Sequence, residues 1–536
     1  MKGAAVRRST IPVAQPNNDR HNLIIKEGRS NGMREKLIIL GLVIGLIGFG
    51  KGIAFADSAT WDFTTPGDYT VSDAEKVEVA GGVARFKKTY NNIGTPGAQG
   101  FGVGAYPLAT LPSGFSALEG SADKTSDNYG NYQFQDGSIM VYIPKFYYRI
   151  GHADNPTYGT YGVNSIDVKS IYDYTTRTAA EADGYALHRA FIDGGTEKDG
   201  FFFDKYMCSQ NSYGGEEIAS SIKNGNPIST ASAHNPIANL TACAGNYYYE
   251  TINAAHGRGT IFQVGSRFQY SALAILSMAH GQASSATTYC AWYDATYNFP
   301  KGCNNNALSD TNDTTVIWKS DGYSNCGKTG SAGYGGGAGN VFAKSTHNGQ
   351  NCGVADLNGL MWEISLGVTR PGTSGTDTTN QNDTANFYIL KELVAMKDLQ
   401  SGWHSGAAGA AYEAWGDAAH LALYYDQTTI AHIIPNTGAW EFFGSGGNQV
   451  LSEATSGTNW LFTGIGIPKD NNGDGATGTN LFGKDGIYKY HRANLCLLSC
   501  AYWGHGSNAG VWVVHWNYYR TGSVYSVGFR AACYPE

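Results

Sequence analysis

One run of this chain, SRFQYSALAILSMAHG (266–281), carries apolar residues at helical spacing and closes on Gly281, a helix stop. The other strong apolar stretches follow a different rule. GSIMVYIPKFYYRI (137–150) and KDGFFFDKYMCS (198–209) are dense in β-branched and aromatic residues and read as strands. A second helix is expected over DTANFYILKELVAMKDLQSG (383–402), and stretches such as GKTGSAGYGGGAGN (327–340) read as loops. The mixture constrains the chain to an α+β class rich in loops. Its 71 glycines among 536 residues are then turns of a globular protein, because 35 tyrosines and only 15% charged residues are the opposite of a disordered composition. No internal repeat of fixed period is present.

The amino end has the grammar of export. From Met33, Arg34 and Lys36 precede an apolar run, Leu37 to Gly50, and Ala54-Phe55-Ala56 supplies small residues before Asp57. Residues 33–56 therefore read as a signal peptide, with cleavage or retention as an anchor both open, and residues 1–32 as a non-native or disordered leader. Residues 57–95 read as a small β segment, with Lys76–Val79 and Val83–Phe86 as strands about an Ala80-Gly81-Gly82 turn. A linker is expected over 96–130, and the main domain over 131–536. Net charge is −7 with no basic block in the exported part, which argues against direct nucleic-acid binding. Export makes the nine cysteines candidates for disulfides, with Cys290–Cys303 and Cys326–Cys352 as local pairs and the connectivity open.

Five short motifs occur in order: Met140-Val141-Tyr142-Ile143-Pro144, Phe202-Phe203-Asp204-Lys205-Tyr206, Arg267-Phe268-Gln269-Tyr270-Ser271-Ala272, Asp356-Leu357-Asn358-Gly359-Leu360-Met361-Trp362-Glu363 and Gly528-Phe529-Arg530. Together they resemble the formylglycine-generating-enzyme-like (sulfatase-modifying-factor) branch of the C-type-lectin fold. The enzymes of that family use reactive cysteines shortly after a segment that aligns here with Ser499–Trp503. No cysteine follows in GHGSNAGVWVV, and Cys496 and Cys500 stand before or inside the segment, so the resemblance implies no oxidase and no catalytic residue.

The stretch from about 499 to 533 is similar to a second group with this fold, the variable proteins diversified by retroelements. The fixed letters of their final segment are matched by Trp503, Gly506-Ser507-Asn508-Ala509-Gly510, Trp516-Asn517, Arg520 and Val527-Gly528-Phe529-Arg530. The resemblance makes Trp503, Trp516, Arg520, Gly528, Phe529 and Arg530 the scaffold of a binding site. Asparagine positions of the pattern hold Tyr502, Gly504, His505, Val513, His515, Tyr518, Tyr519, Gly522, Val524, Tyr525 and Ser526, the implied variable ligand contacts. In such systems an RNA template is copied with errors at adenines. An AAC or AAT codon can then become Tyr, His, Ser, Gly or Val, but never Trp, Lys, Gln, Glu or Met. Between Ser499 and Cys533 there is no Lys, Gln, Glu or Met. Tyr, Ser, Gly and His also suit recognition, giving contact area and adaptable hydrogen bonds on a rigid frame. The implied ligand is a protein or glycan on another cell, a phage or a host surface. A reverse transcriptase and template RNA would act on the gene alone.

The alternative is a fixed-specificity lectin-like or sulfatase-modifying-factor-like exported protein with Tyr518, Tyr519 and Tyr525 packed. Calcium belongs to that alternative: in DNNGDG (470–475), Asp470, Asn472 and Asp474 alternate before Gly475 as in a calcium loop. Position 12 would be Leu481 where a Glu is expected, so the segment reads first as a turn, and no cofactor is required. The thirteen histidines form no metalloprotease pattern, and His280 reads as a helix-end cap.

Overall fold

The computed structural model describes residues 67–72, 75–80, 83–88, 90–293, 299–323, 325–334, 342–370, 387–401, 423–428, 438–444, 449–469, 482, 484–492 and 495–535. Two compact units divide at Thr89/Tyr90. The first holds an antiparallel meander of β1 (Gly67–Ser72), β2 (Glu75–Ala80) and β3 (Val83–Lys88). Ala80 pairs with Val83, and β2 and β3 run antiparallel; Gly81 and Gly82 lie outside the described residues.

The second unit starts forty residues earlier than the expected domain. The stretch expected as a linker is packed, with Phe101, Val103, Ala105 and Tyr129 almost wholly buried. Its aromatic and β-branched residues outweigh its glycines. One six-stranded sheet is built from β4 (Phe115–Ala117), β5 (Asn131–Phe134), β6 (Ile139–Pro144), β7 (Gly200–Asp204), β8 (Gln263–Val264) and a strand from the far end of the chain. The expected single strand over 137–150 is two strands. It breaks at Lys145, whose N–H turns to the carbonyl of Asp199, and Phe146–Ile150 pairs in a separate sheet with Ile166–Ser170 and Ala186–Leu187.

The helix expected at 266 is α1 (Arg267–Ala283), entered through a capping box in which Ser266 and Gln269 bond each other's backbone N–H groups. It continues past Gly281, which lies against Trp292 and is not its stop. Nearly every residue of α1 is buried. His280 is no cap: its Nδ1 accepts from the N–H of Gly97 and its Nε2 bonds the carbonyl of Tyr289, tying two loops to the helix. The second expected helix is absent from the described residues of 383–402. Phe387–Leu390 is a strand between Val368–Thr369 and Tyr425–Thr428, and Met396–Asp398 is a single 3₁₀ turn. Cross-strand pairing there overrides the helical spacing.

A second six-stranded sheet holds β9 (Trp362–Ile364), β10 (Ala439–Phe442), β11 (Gly486–Lys489), β12 (Leu498–Ser499), β13 (Val514–His515) and β14 (Val527–Gly528), in the order β10-β11-β13-β12-β9-β14. Three residues later, β15 (Ala531–Cys533) joins the first sheet between β8 and β7. The two sheets are thus stitched by the turn at Phe529-Arg530.

Cys208, Cys243, Cys303, Cys326, Cys352, Cys496, Cys500 and Cys533 are free thiols. The expected local pairs are not formed: Cys326 packs with Met207, Cys303 and Trp318, whereas Cys352 belongs to the main core.

Candidate binding surface

The segment 499–533 lies on a floor of buried polar contacts. Glu363, on β9, is fully buried and accepts two hydrogen bonds from Arg530, 2.6 and 3.1 Å, and one from the Tyr270 hydroxyl at 2.6 Å. Burial works against the Arg530 cation, but Glu363 holds its pKa above the ordinary arginine value. The guanidinium also donates to the carbonyls of Lys205 and Ala355. Asp204, in the FFFDKY motif, is held in the same way by two bonds from Arg258 and accepts the N–H of Ala531. Arg267, at the start of α1, reaches the carbonyls of Ile465, Gly466 and Trp512 and the hydroxyl of Ser499. Burial lowers its pKa to about 10. Asp485 is buried and accepts the Trp512 N–H, and burial pushes its carboxyl well above the usual range. Gly510 allows this approach, since a Cβ there would lie 1.7 Å from Asp485 Oδ1.

The positions expected as scaffold are all interior: Trp503, Trp516, Arg520, Gly528, Phe529 and Arg530 are buried, as is Trp512. Of the eleven positions expected at the surface, Gly504, Tyr519 and Tyr525 are exposed, and Tyr502, His505, His515, Tyr518, Val524 and Ser526 are half-buried. Two depart from the expectation. Val513 is fully buried in the run Val511–Val514, which enters the core around β13. Gly522 is covered by Tyr518, whose ring would lie 2.5 Å from an added Cβ.

The backbone beneath these side chains is pinned. Thr230 Oγ1 bonds both the N–H and the carbonyl of Val524 at 2.9 Å, and the Thr230 N–H donates to Val527. Trp362 N–H donates to the Ser526 carbonyl, and Cys496 N–H to that of Tyr518. These side chains therefore stand on a frame whose hydrogen bonds come from elsewhere in the fold.

The rings gather in two groups. Tyr518 stacks on Tyr519 at 5.8 Å, and Arg492 lies 5.4 Å from the Tyr519 ring. The larger group is centred on Trp362, with Tyr502, His505 and His515 at 6.2, 4.7 and 5.2 Å, and Tyr525 stacks on Trp503 beside it. Two members escaped the sequence reading: Trp440 on β10 and Tyr488 on β11. Trp440 lies parallel to Trp362 at 6.3 Å and 4.8 Å from His505, and Tyr488 stacks on His515 at 5.0 Å. Only strand register brings them here, so no local sequence signal marked them. Burial pushes the imidazole of His505 down to about 4. Burial, with His505 and Arg492 nearby, pushes His515 to about 3. Both rings are neutral near pH 7.

Asp470, Asn472 and Asp474 lie outside the described residues, as does the segment 33–56. Among the described residues no three His, Cys, Asp or Glu side chains are placed to hold a metal ion, and no helix is long and apolar enough to cross a membrane. Cys496 and Cys500 are buried, and burial raises both thiols well above their usual range. A separate groove of about 490 Å³ is lined by Gln210, Asn211, Ser212, Glu217, Asn226 and Asn235.

No protein-family model matches this chain, and the search of curated proteins finds no match either.

Proposed function

We propose that this chain is an exported, variable ligand-binding protein and not an enzyme. On this reading it has a C-type-lectin fold of the formylglycine-generating-enzyme-like type, with a carboxyl-terminal surface rewritten by retroelement mutagenesis at adenines. One observation carries the reading. Nine of the thirteen fixed letters of segment 499–533 are buried, the exceptions being the half-buried Gly506, Ser507, Asn508 and Asn517, while nine of the eleven asparagine-pattern positions are exposed or half-buried. A chain diversified at random would need this partition, because changes confined to surface side chains alter stability little. The ligand is a protein or glycan met outside the cell, gripped chiefly by tyrosines, which lose little rotamer freedom on binding.

The test is the DNA beside the gene. The reading expects a near-identical second copy of the codons for 499–533, close to a reverse-transcriptase gene and differing only where that copy has adenine. No such copy, or differences spread over all four bases, overturns it. A second reading, a lectin-like protein of fixed specificity, is favoured by the groove at Gln210 and Asn226, whose amide-rich lining includes none of the eleven positions.

A further inference from the structure

We propose that Trp440 and Tyr488 form a fixed half of the recognition surface, and that this half takes the C–H face of a neutral hexopyranose. The inference rests on reading this face as a ligand-binding surface. Trp440 pairs with Tyr488 across β10 and β11, and Tyr488 pairs with His515 across β11 and β13. The three rings are therefore consecutive cross-strand neighbours in one row. Tyr488 and His515 are nearly parallel at 16°, and Trp440 meets Tyr488 edge-on at 5.4 Å and 73°. The Tyr488 hydroxyl donates to the Gly438 carbonyl at 2.9 Å, which fixes the ring against the residue that precedes β10. Trp440 and Tyr488 are both half-buried, whereas Trp362 behind them is 5% exposed.

Both residues lie outside 499–533, so every rewritten version of that segment would meet the same two rings. Position 515 is then read against Tyr488, and position 505 against Trp440. The chemistry of the wall selects the ligand class. Trp362, Trp440, Tyr488, Tyr502, His505 and His515 include no carboxylate, lysine or arginine. A sugar ring offers a flat C–H face to an aromatic face and hydroxyls to its rim, where Tyr502 stands. These six side chains offer an acidic ligand no cation, and Arg492, the cation near His515, is turned to the rings of Tyr490 and Tyr519 and to Asn517 Oδ1.

The experiment is saturation-transfer NMR on the full chain with a panel of methyl hexopyranosides. Transfer to the C–H protons of one sugar face is expected. Trp440→Ala weakens binding roughly 10- to 30-fold, Trp440→Phe weakens it less, and Gln210→Ala leaves it unchanged. Native near-ultraviolet dichroism of each variant separates lost binding from lost fold, and Trp440→Phe serves if Trp440→Ala unfolds. No transfer from any sugar, or transfer that survives Trp440→Ala, overturns the inference. Transfer lost on Gln210→Ala assigns the sugar to the polar groove and also overturns it. The gene test fails separately. A second codon copy without sugar binding leaves a diversified surface for a protein partner. Sugar binding through Trp440 without such a copy leaves a lectin of fixed specificity.

Discussion

Glu363→Gln keeps the shape of the side chain and removes its charge. In the native protein Oε1 accepts from Arg530 Nη2, and Oε2 accepts from both Arg530 Nε and the Tyr270 hydroxyl. A glutamine has one acceptor oxygen and one donor NH₂. Either orientation sets a donor against a donor: the amide faces Nη2, or it faces Nε and the hydroxyl together. Arg530 is left as a fully buried cation whose remaining partners are backbone carbonyls. Breaking a buried pair from one side costs about 3–5 kcal/mol, a third or more of the ~5–15 kcal/mol that holds a typical protein. Urea unfolding followed by tryptophan fluorescence measures it as a lower midpoint at unchanged slope. The double variant Glu363→Gln/Arg530→Met, which removes the stranded cation, should recover part of the loss. If Glu363→Gln costs under about 1 kcal/mol, the pair is solvated and the reasoning fails.

Val513→Asn writes the pattern's own residue into a fully buried position, and a buried amide without partners costs about 1–3 kcal/mol. Tyr525→Asn, at 53% exposure, should move the urea midpoint by no more than about 0.5 kcal/mol; equal effects at the two sites would sink the partition. Gly510→Ala drives a methyl into Asp485 and should cost about 1–3 kcal/mol or prevent folding, read as loss of soluble protein. Burial lowers the imidazoles of His188, His347 and His515 to about 3 and those of His280 and His505 to about 4. Below an unfolded-state value of about 6.5 the unfolded chain takes protons that the native chain refuses, so stability is full above that pH and falls as pH drops toward 4. Asp173, Asp193, Asp310, Asp356, Glu363 and Asp485, all raised by burial, oppose this, so the histidine contribution is read ring by ring and not from net stability. Native-state NMR in which these imidazoles titrate at about 6.5 refutes the burial of these rings.

The parts of this molecule legible in its sequence were those with a local cause. Ser266 and Gln269 announce the start of α1, and Ala80-Gly81-Gly82 announces a hairpin. The motifs around Asp204, Tyr270, Glu363 and Arg530 stood out because buried ion pairs need particular residues, although the partner Arg258 did not. What stayed hidden depends on distant pairing. Phe387–Leu390 has helical spacing and becomes a strand because Tyr425–Thr428 lies beside it. Residues 96–130 are rich in glycine and still pack, because their few large apolar residues find a core. In the candidate site the tail pattern marked nine surface positions. Val513 departs because β13 begins beside it, and Trp440 and Tyr488 became visible only through register.

The position of β15 has a consequence for how the chain comes to be folded. Phe202 and Phe203 pair on one side with Tyr142 and Val141, and on the other with Cys533 and Ala532. That second side waits for strand residues made roughly 330 positions later, about 15–65 s at synthesis rates of ~5–20 residues per second. Through that interval β7 presents an open, phenylalanine-rich edge, the kind of surface on which nascent chains pair with one another. Its closure is also among the longest-range contacts in the molecule, and so among the slowest to form. The segment that suits recognition is thus bracketed by strands that complete the fold. The last strand of the chain is also the one that closes the sheet formed by much earlier residues.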